Sequence, residues 1–247
     1  MISENCIEIR NLSKTFHLDK KGVSIKDKLE ALISRRHRPT LKALSNINLT
    51  VKKGEFLGII GHNGSGKSTL LKLIIGAMNP DDGSSIKTEG KIIRLALGMG
   101  FDPNLTARDN IYLNGTILGL SFKQIGKKFD EIIDFAEIEK FVDTPVKFYS
   151  SGMASKLSFA VAMQAEADVF LIDEFFGDVG DEAFKAKSQK AFENNILAGK
   201  TIIHVTHSLS LIDERSDRIL ILENGEAKIY DESQEALDYY LNNTKPS

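Results

Sequence analysis

Cysteine is nearly missing from this 247-residue chain. Cys6 stands alone, so an internal disulfide is excluded and there is no metal-ligand cysteine spacing. Long apolar runs are missing too. The longest stretch free of Asp, Glu, Lys and Arg is the 13 residues from Asn110 to Phe122, whereas a membrane-spanning helix needs roughly 20 consecutive apolar residues. Excess charge of either sign is also lacking: 32 Lys and Arg against 34 Asp and Glu leave a formal charge of −2, which argues against a dedicated nucleic-acid binder. The first ten residues, MISENCIEIR, carry acidic side chains and no apolar core of the kind a signal peptide requires. No repeat with the period of a solenoid is visible, and no low-complexity tract. What remains is an ordinary globular composition, 42% hydrophobic and 27% charged, pointing to a soluble cytosolic protein.

Apolar runs suited to buried strands lie at Phe56 to Ile60, Val169 to Ile172 and Ile202 to Val205, with amphipathic stretches between them. This pattern predicts an α/β fold with a largely parallel core sheet. Three segments depart from simple alternation. Lys20 to Lys42 is a basic insert in which Ile25, Leu29, Leu32 and Ile33 fall on one face of a short helix, with Ser24 as its cap and Pro39 beyond its end. In Ser121 to Val142, the residues Phe122, Ile125, Phe129, Ile132 and Ile133 form a helical stripe, predicting a small helical subdomain between the strands. Arg218 to Tyr230 has the form of a β-hairpin turned at Asn224-Gly225, and the polar tail Asn242 to Ser247 is expected to fray.

The most specific chemical signal is Gly61-His62-Asn63-Gly64-Ser65-Gly66-Lys67-Ser68, a complete G-x-x-x-x-G-K-S phosphate loop between an apolar strand and a helical stretch that starts with Thr69. Glycines let successive backbone N–H groups approach the β- and γ-phosphates, and the helix N-terminus adds partial positive charge. Lys67 supplies a point charge there, and the Ser68 hydroxyl part of a Mg²⁺ shell. About a hundred residues later, Val169 to Ile172 ends in Asp173-Glu174. A strand ending this way places Asp173 to orient Mg²⁺ or its waters and Glu174 to act on an attacking water. Alone, that run is weak evidence, because many strands end in a carboxylate.

Between these motifs lies Tyr149-Ser150-Ser151-Gly152-Met153, with a helix expected from Ala154 onward, and after them comes Val205-Thr206-His207. The order of phosphate loop, helical insert, Ser-x-Gly, Asp-Glu strand and His resembles the ATP-binding subunit of ABC transporters over nearly the whole chain. The resemblance implies a P-loop NTPase fold of the ABC nucleotide-binding type, with an inserted α-helical subdomain at about 104–166, an antiparallel β part, and one domain spanning 1–247. It further implies a homodimer in which each ATP, with Mg²⁺, lies between the phosphate loop of one copy and Ser150, Ser151 and Gly152 of the other. By position, His207 matches the family's switch histidine, whereas His204 matches nothing and His62 is a variable loop position. Phe16 sits where the family has an aromatic stacked on adenine, though it also fits an edge of the core. The family's glutamine before the helical subdomain is absent: that position falls at Leu97, in Leu97-Gly98-Met99-Gly100-Phe101. The loop after Glu174 is one residue longer than usual, with Asp181 as its terminal aspartate and Asp178 as the alternative.

These departures, with the Val-Gly-Asp ending and the basic insert, resemble the ATPases that export bacterial surface polysaccharides: O antigen, capsule or teichoic acid. That implies a separate integral membrane permease as partner, a lipid-linked polysaccharide as cargo, most of all O antigen, no nucleic acid, and a place on the cytoplasmic face of the inner membrane. A chain ending at Ser247 is expected to lack the carbohydrate-binding domain some of these ATPases carry. The insert suits an anionic lipid surface or a lipid-linked pyrophosphate, and equally a solvated excursion packed on its own domain. The competing readings are a soluble ABC ATPase without a permease, a nucleotide switch that does not hydrolyse, and an importer or drug exporter.

Overall fold

The computed structural model describes residues 4–18, 39–96, 98, 100–173 and 180–243. Two sheets carry the fold. The first joins β1 (Asn5–His17), β2 (Thr40–Lys52) and β4 (Ser85–Thr88) in the antiparallel order β2-β1-β4. The second contains β3 (Phe56–Ile60), β5 (Ile92–Leu95), β6 (Val169–Asp173), β7 (Thr201–Val205), β8 (Arg218–Glu223) and β9 (Glu226–Tyr230). Its order is β5-β6-β7-β3-β8-β9, parallel from β5 to β8, with β9 antiparallel at one edge. The three strands expected from apolar runs are the central ones, β6, β7 and β3, and almost every side chain in them is buried. A parallel sheet covered on both faces requires such continuous hydrophobicity. The hairpin turns at Asn224 and Gly225, both at positive φ (50° and 82°), as a two-residue turn of matching twist demands.

Period-two alternation divides the strands between two cores. Leu57 and Ile59, with Leu171, Ile203 and Val205, pack against β1, β2 and the helix α1 (Lys67–Ile74). On the opposite face, Phe170, Ile172 and Ile202 meet a layer of helices: α2 (Ala107–Ile117), α3 (Phe122–Ala136), α4 (Ser151–Ala162) and α5 (Glu182–Phe192). The helices α6 (Leu209–Arg215) and α7 (Ser233–Asn243) close a third cluster over Ile60, Ile219 and Ile221. Ser121 starts α3 with a capping box: it accepts from Gln124 N–H, and Gln124 accepts from Ser121 N–H.

Three local expectations change. Ile125, Ile132 and Ile133 of the α3 stripe are buried, but Phe122 is 69% exposed and stacks on Tyr112 at the surface. The helix expected from Ala154 starts at Ser151, because Ser150 already accepts the Met153 N–H and caps it. Asn242 and Asn243 belong to the last turn of α7, where Asn243 donates to the Tyr239 carbonyl; residues 244–247 of the expected tail lie outside the described residues, as do residues 20–38 of the basic insert, while its last residues, Thr40 to Lys42, belong to β2. The Leu18 N–H donates to the Pro39 carbonyl at 2.9 Å, joining the chain on either side of residues 19–38. Among the described residues no helix is long and apolar enough to cross a membrane.

His204, on β7, has both ring nitrogens buried without a partner. Desolvation pushes its imidazole down from 6.5 to about 4, only partly opposed by the negative charge of Asp173. Because the folded value lies below the unfolded one, the folded chain resists taking up a proton that the unfolded chain accepts. Stability is therefore complete above pH 6.5 and falls as the pH drops toward 4, by up to about 3 kcal/mol. Urea melts across this range should show that slope, and His204→Leu should flatten it; an unchanged slope in the variant contradicts the assignment.

Candidate functional site

The sheet order places the chemistry. The central strands β6, β7 and β3 are neighbours and run parallel, so the residues at their C-terminal ends emerge side by side, where ligands of open α/β sheets bind. Those residues are Asp173 at the end of β6, His207 two positions beyond β7, and the loop Gly61–Gly66 after β3.

That loop delivers the chain into α1, whose first turn has neither a side-chain cap nor an acidic residue. The positive dipole end of this helix therefore meets no capping side chain and no carboxylate of its own first turn. On one side the loop is packed tight: a Cβ on Gly66 would lie 2.7 Å from both the Ala43 carbonyl oxygen and Leu44 Cδ2. On the other side it is open, with nothing within 4 Å of the Cβ position of Gly64. The Lys67 ammonium folds back on the loop, donating to the carbonyls of Gly61 (2.6 Å) and His62 (3.0 Å). The Ser65 hydroxyl is buried with no hydrogen-bond partner.

A cavity of about 520 Å³ opens over this loop. Phe16, Asn63, Gly64, Gly66, Lys67, Ser68, Thr69 and Asp173, all singled out in the sequence, line it together. Leu41, Lys42, Ala43, Asn224 and Gly225 complete the wall. Sequence reasoning took Asn224-Gly225 for a turn only and missed 41–43 as a wall. The turn packs against β2, where a Cβ on Gly225 would strike the Ala43 carbonyl, and no local motif announces that contact. Gly61, His62 and Ser65 lie outside the cavity wall, as do His207, Asp181 and the segment Ser150, Ser151, Gly152.

Asp181 has a clear local task. Its carboxylate accepts the Phe184 N–H (2.9 Å) at the start of α5 and receives Lys156 from α4 (3.2 Å), and these two contacts hold it below the usual carboxylate range. Lys156 also bridges to Glu137 (2.6 Å). Asp181 thereby ties α5 to the helix headed by Ser150. Glu174, Asp178 and Leu97 lie outside the described residues.

The donor set suits a small hard cation bound together with phosphates. Ser68 and Asp173 share the cavity wall with Lys67, and among the described residues no cluster of three His, Cys, Asp or Glu side chains is placed to hold a metal by itself. Mg²⁺ commonly takes one or two protein oxygens, with phosphates and waters filling the remaining positions.

The family model described as "ABC transporter" matches residues 44–177, more than half of the chain. The chain belongs to the ABC transporter family. Among curated members of this family, the O-antigen export system ATP-binding protein RfbB of Klebsiella pneumoniae is 41% identical over 199 residues, covering 80% of either chain. The teichoic acids export ATP-binding protein TagH of Enterococcus faecalis is 37% identical over 242 residues, covering 97% of this chain and 53% of its own length. The chain spans less than two thirds of the length of several such relatives. A dimeric ATP-binding cassette solved in a post-hydrolysis state with ADP and Pi superposes with a TM-score of 0.68 at 23% identity, covering 91% of this chain and 98% of its own. The fold is thus that of an ABC ATP-binding cassette.

Proposed function

We propose that this chain is the ATP-hydrolysing subunit of an exporter of lipid-linked surface polysaccharide, most specifically O antigen. The observation that carries the cargo assignment is its 41% identity to RfbB over 80% of both chains. The cavity carries the nucleotide assignment, since it joins Phe16, the phosphate loop and Asp173 around the N-terminal end of α1, which has no side-chain cap.

In this reading Lys67 leaves the loop carbonyls for the β- and γ-phosphates, and the first-turn N–H groups of α1 take the remaining phosphate oxygens. Phe16 stacks on adenine. Ser68 and Asp173 would hold Mg²⁺, which would supply charge neutralisation to the phosphates. Glu174 removes a proton from the attacking water and His207 orients that water. Ser150, Ser151 and Gly152 act on the γ-phosphate bound by a second copy. Ser150 accepts the Met153 N–H, leaving its own hydroxyl hydrogen to donate. Closure of the homodimer around two ATP molecules drives a separate membrane permease, with the dimer seated on the cytoplasmic face of the inner membrane.

Deleting the gene in its host should remove the polysaccharide from the cell surface while lipid-linked polymer accumulates inside, and supplying the wild-type chain should reverse both effects. Unchanged surface polysaccharide overturns the cargo assignment.

A further inference from the structure

The carboxylate proposed to hold the metal already has a cation on it. Arg94 Nη donates to Asp173 Oδ2 at 2.5 Å, and both side chains are mostly withdrawn from solvent, 22% and 15% exposed. Arg94 sits on β5, the edge strand of the parallel sheet, in register with Leu171. Because side chains alternate along a strand, Arg94, Leu171 and Asp173 project from the same face, the one on which Leu171 packs with Leu70 and Leu71 of α1. Arg94 therefore reaches Asp173 from the side of the sheet that carries the phosphate loop, with Asp173 in the same cavity wall as Ser68. The grip is incomplete: Arg94 Nε is buried with no partner, so a side chain able to bind a carboxylate through two parallel bonds uses one.

We infer that Arg94 is a built-in counter-cation for Asp173, which a divalent cation has to displace to load the site. The inference rests on the reading of Asp173 as a metal carboxylate. A buried charge left alone is costly, and Arg94 holds the Asp173 carboxylate in a paired, oriented state until a metal binds. The same positive charge, held on the carboxylate oxygen, opposes an incoming divalent ion. Arg94 thus sets the concentration of metal at which the site loads.

The test uses the full chain, a fluorescent ATP analogue at fixed concentration, and Mg²⁺ titrated from an EDTA baseline. Arg94→Met removes the charge while keeping most of the bulk, and it should lower the Mg²⁺ midpoint for analogue binding by roughly tenfold. Arg94→Lys keeps the charge and should stay within about twofold of wild type. Arg94→Gln, still able to donate to Asp173, should shift in the same direction as Arg94→Met and stands in for it if Met does not fold. In an Asp173→Asn background the shift should vanish. An unchanged or raised midpoint in the uncharged variants overturns the inference while leaving the nucleotide assignment in place. A wild-type chain whose analogue binding ignores Mg²⁺ instead overturns the metal role of Asp173.

Discussion

Glu174→Gln should bind ATP as the wild type does and turn it over roughly 10²–10⁴-fold more slowly, the usual worth of a positioned general base. The amide matches the carboxylate in size and cannot take the water's proton. It also removes one negative charge next to Asp173, in a site that must accept nucleotide phosphates. The variant should therefore hold ATP and accumulate as a closed dimer. Phosphate release measures turnover, and size exclusion with radiolabelled ATP measures retention. Normal turnover would place the base elsewhere and remove Glu174 from the mechanism.

Gly66→Ala should be as damaging, for a reason visible in the packing. Gly66 has φ +112°, a conformation that L side chains rarely adopt, and its new Cβ would meet a backbone carbonyl and a buried leucine methyl at 2.7 Å. The Ala43 carbonyl belongs to β2 and has little freedom to retreat. Overpacking of this kind costs about 1–3 kcal/mol, and the left-handed backbone adds roughly 1–2 kcal/mol. The chain escapes this strain only by moving the loop, which dismantles the cradle, so nucleotide binding should be lost along with stability. Gly64→Ala is the control. Its φ of +82° carries the same backbone penalty, but its Cβ meets nothing within 4 Å, so its unfolding free energy, read from urea melts, should fall by only about 1–2 kcal/mol. Equal losses in the two variants would show that backbone conformation, not the approach to β2, governs the loop.

The parts legible in the sequence are those written locally. The phosphate loop, the continuous apolar strands and the Asn-Gly turn each fit within about ten residues, and the structure has them at the expected positions. The antiparallel strands β1 and β2 were less visible. Their period-two patterns are broken at Asn11 and Asn46, both at positive φ, where the pairing register shifts; Ile7 and Ile9 are in phase, and Leu12 is not. Contacts between distant segments left no pattern at all. The ion pair of Arg94 with Asp173 spans 79 positions and that of Lys156 with Asp181 spans 25. Periodicity identifies the face a residue occupies and gives no information about its partner on a neighbouring strand or helix. The proposed composite site is a further case: Ser150, Ser151 and Gly152 lie outside the cavity wall of their own chain, so the role proposed for them requires a second copy.

That dependence allows a direct test. Lys67→Ala disables the phosphate loop, and Gly152→Asp disables the segment that heads α4. Each variant alone forms dimers with two damaged sites and should hydrolyse ATP at background rates. When the two are mixed and allowed to exchange subunits, each mixed dimer pairs the intact phosphate loop of the Gly152→Asp chain with the intact Ser150–Gly152 segment of the Lys67→Ala chain. Half of the dimers are mixed and half of their sites intact, so ATPase activity should return to about a quarter of wild type. A mixture as inactive as its two parents would show that each chain hydrolyses ATP with its own residues alone, contradicting the shared site on which this account depends.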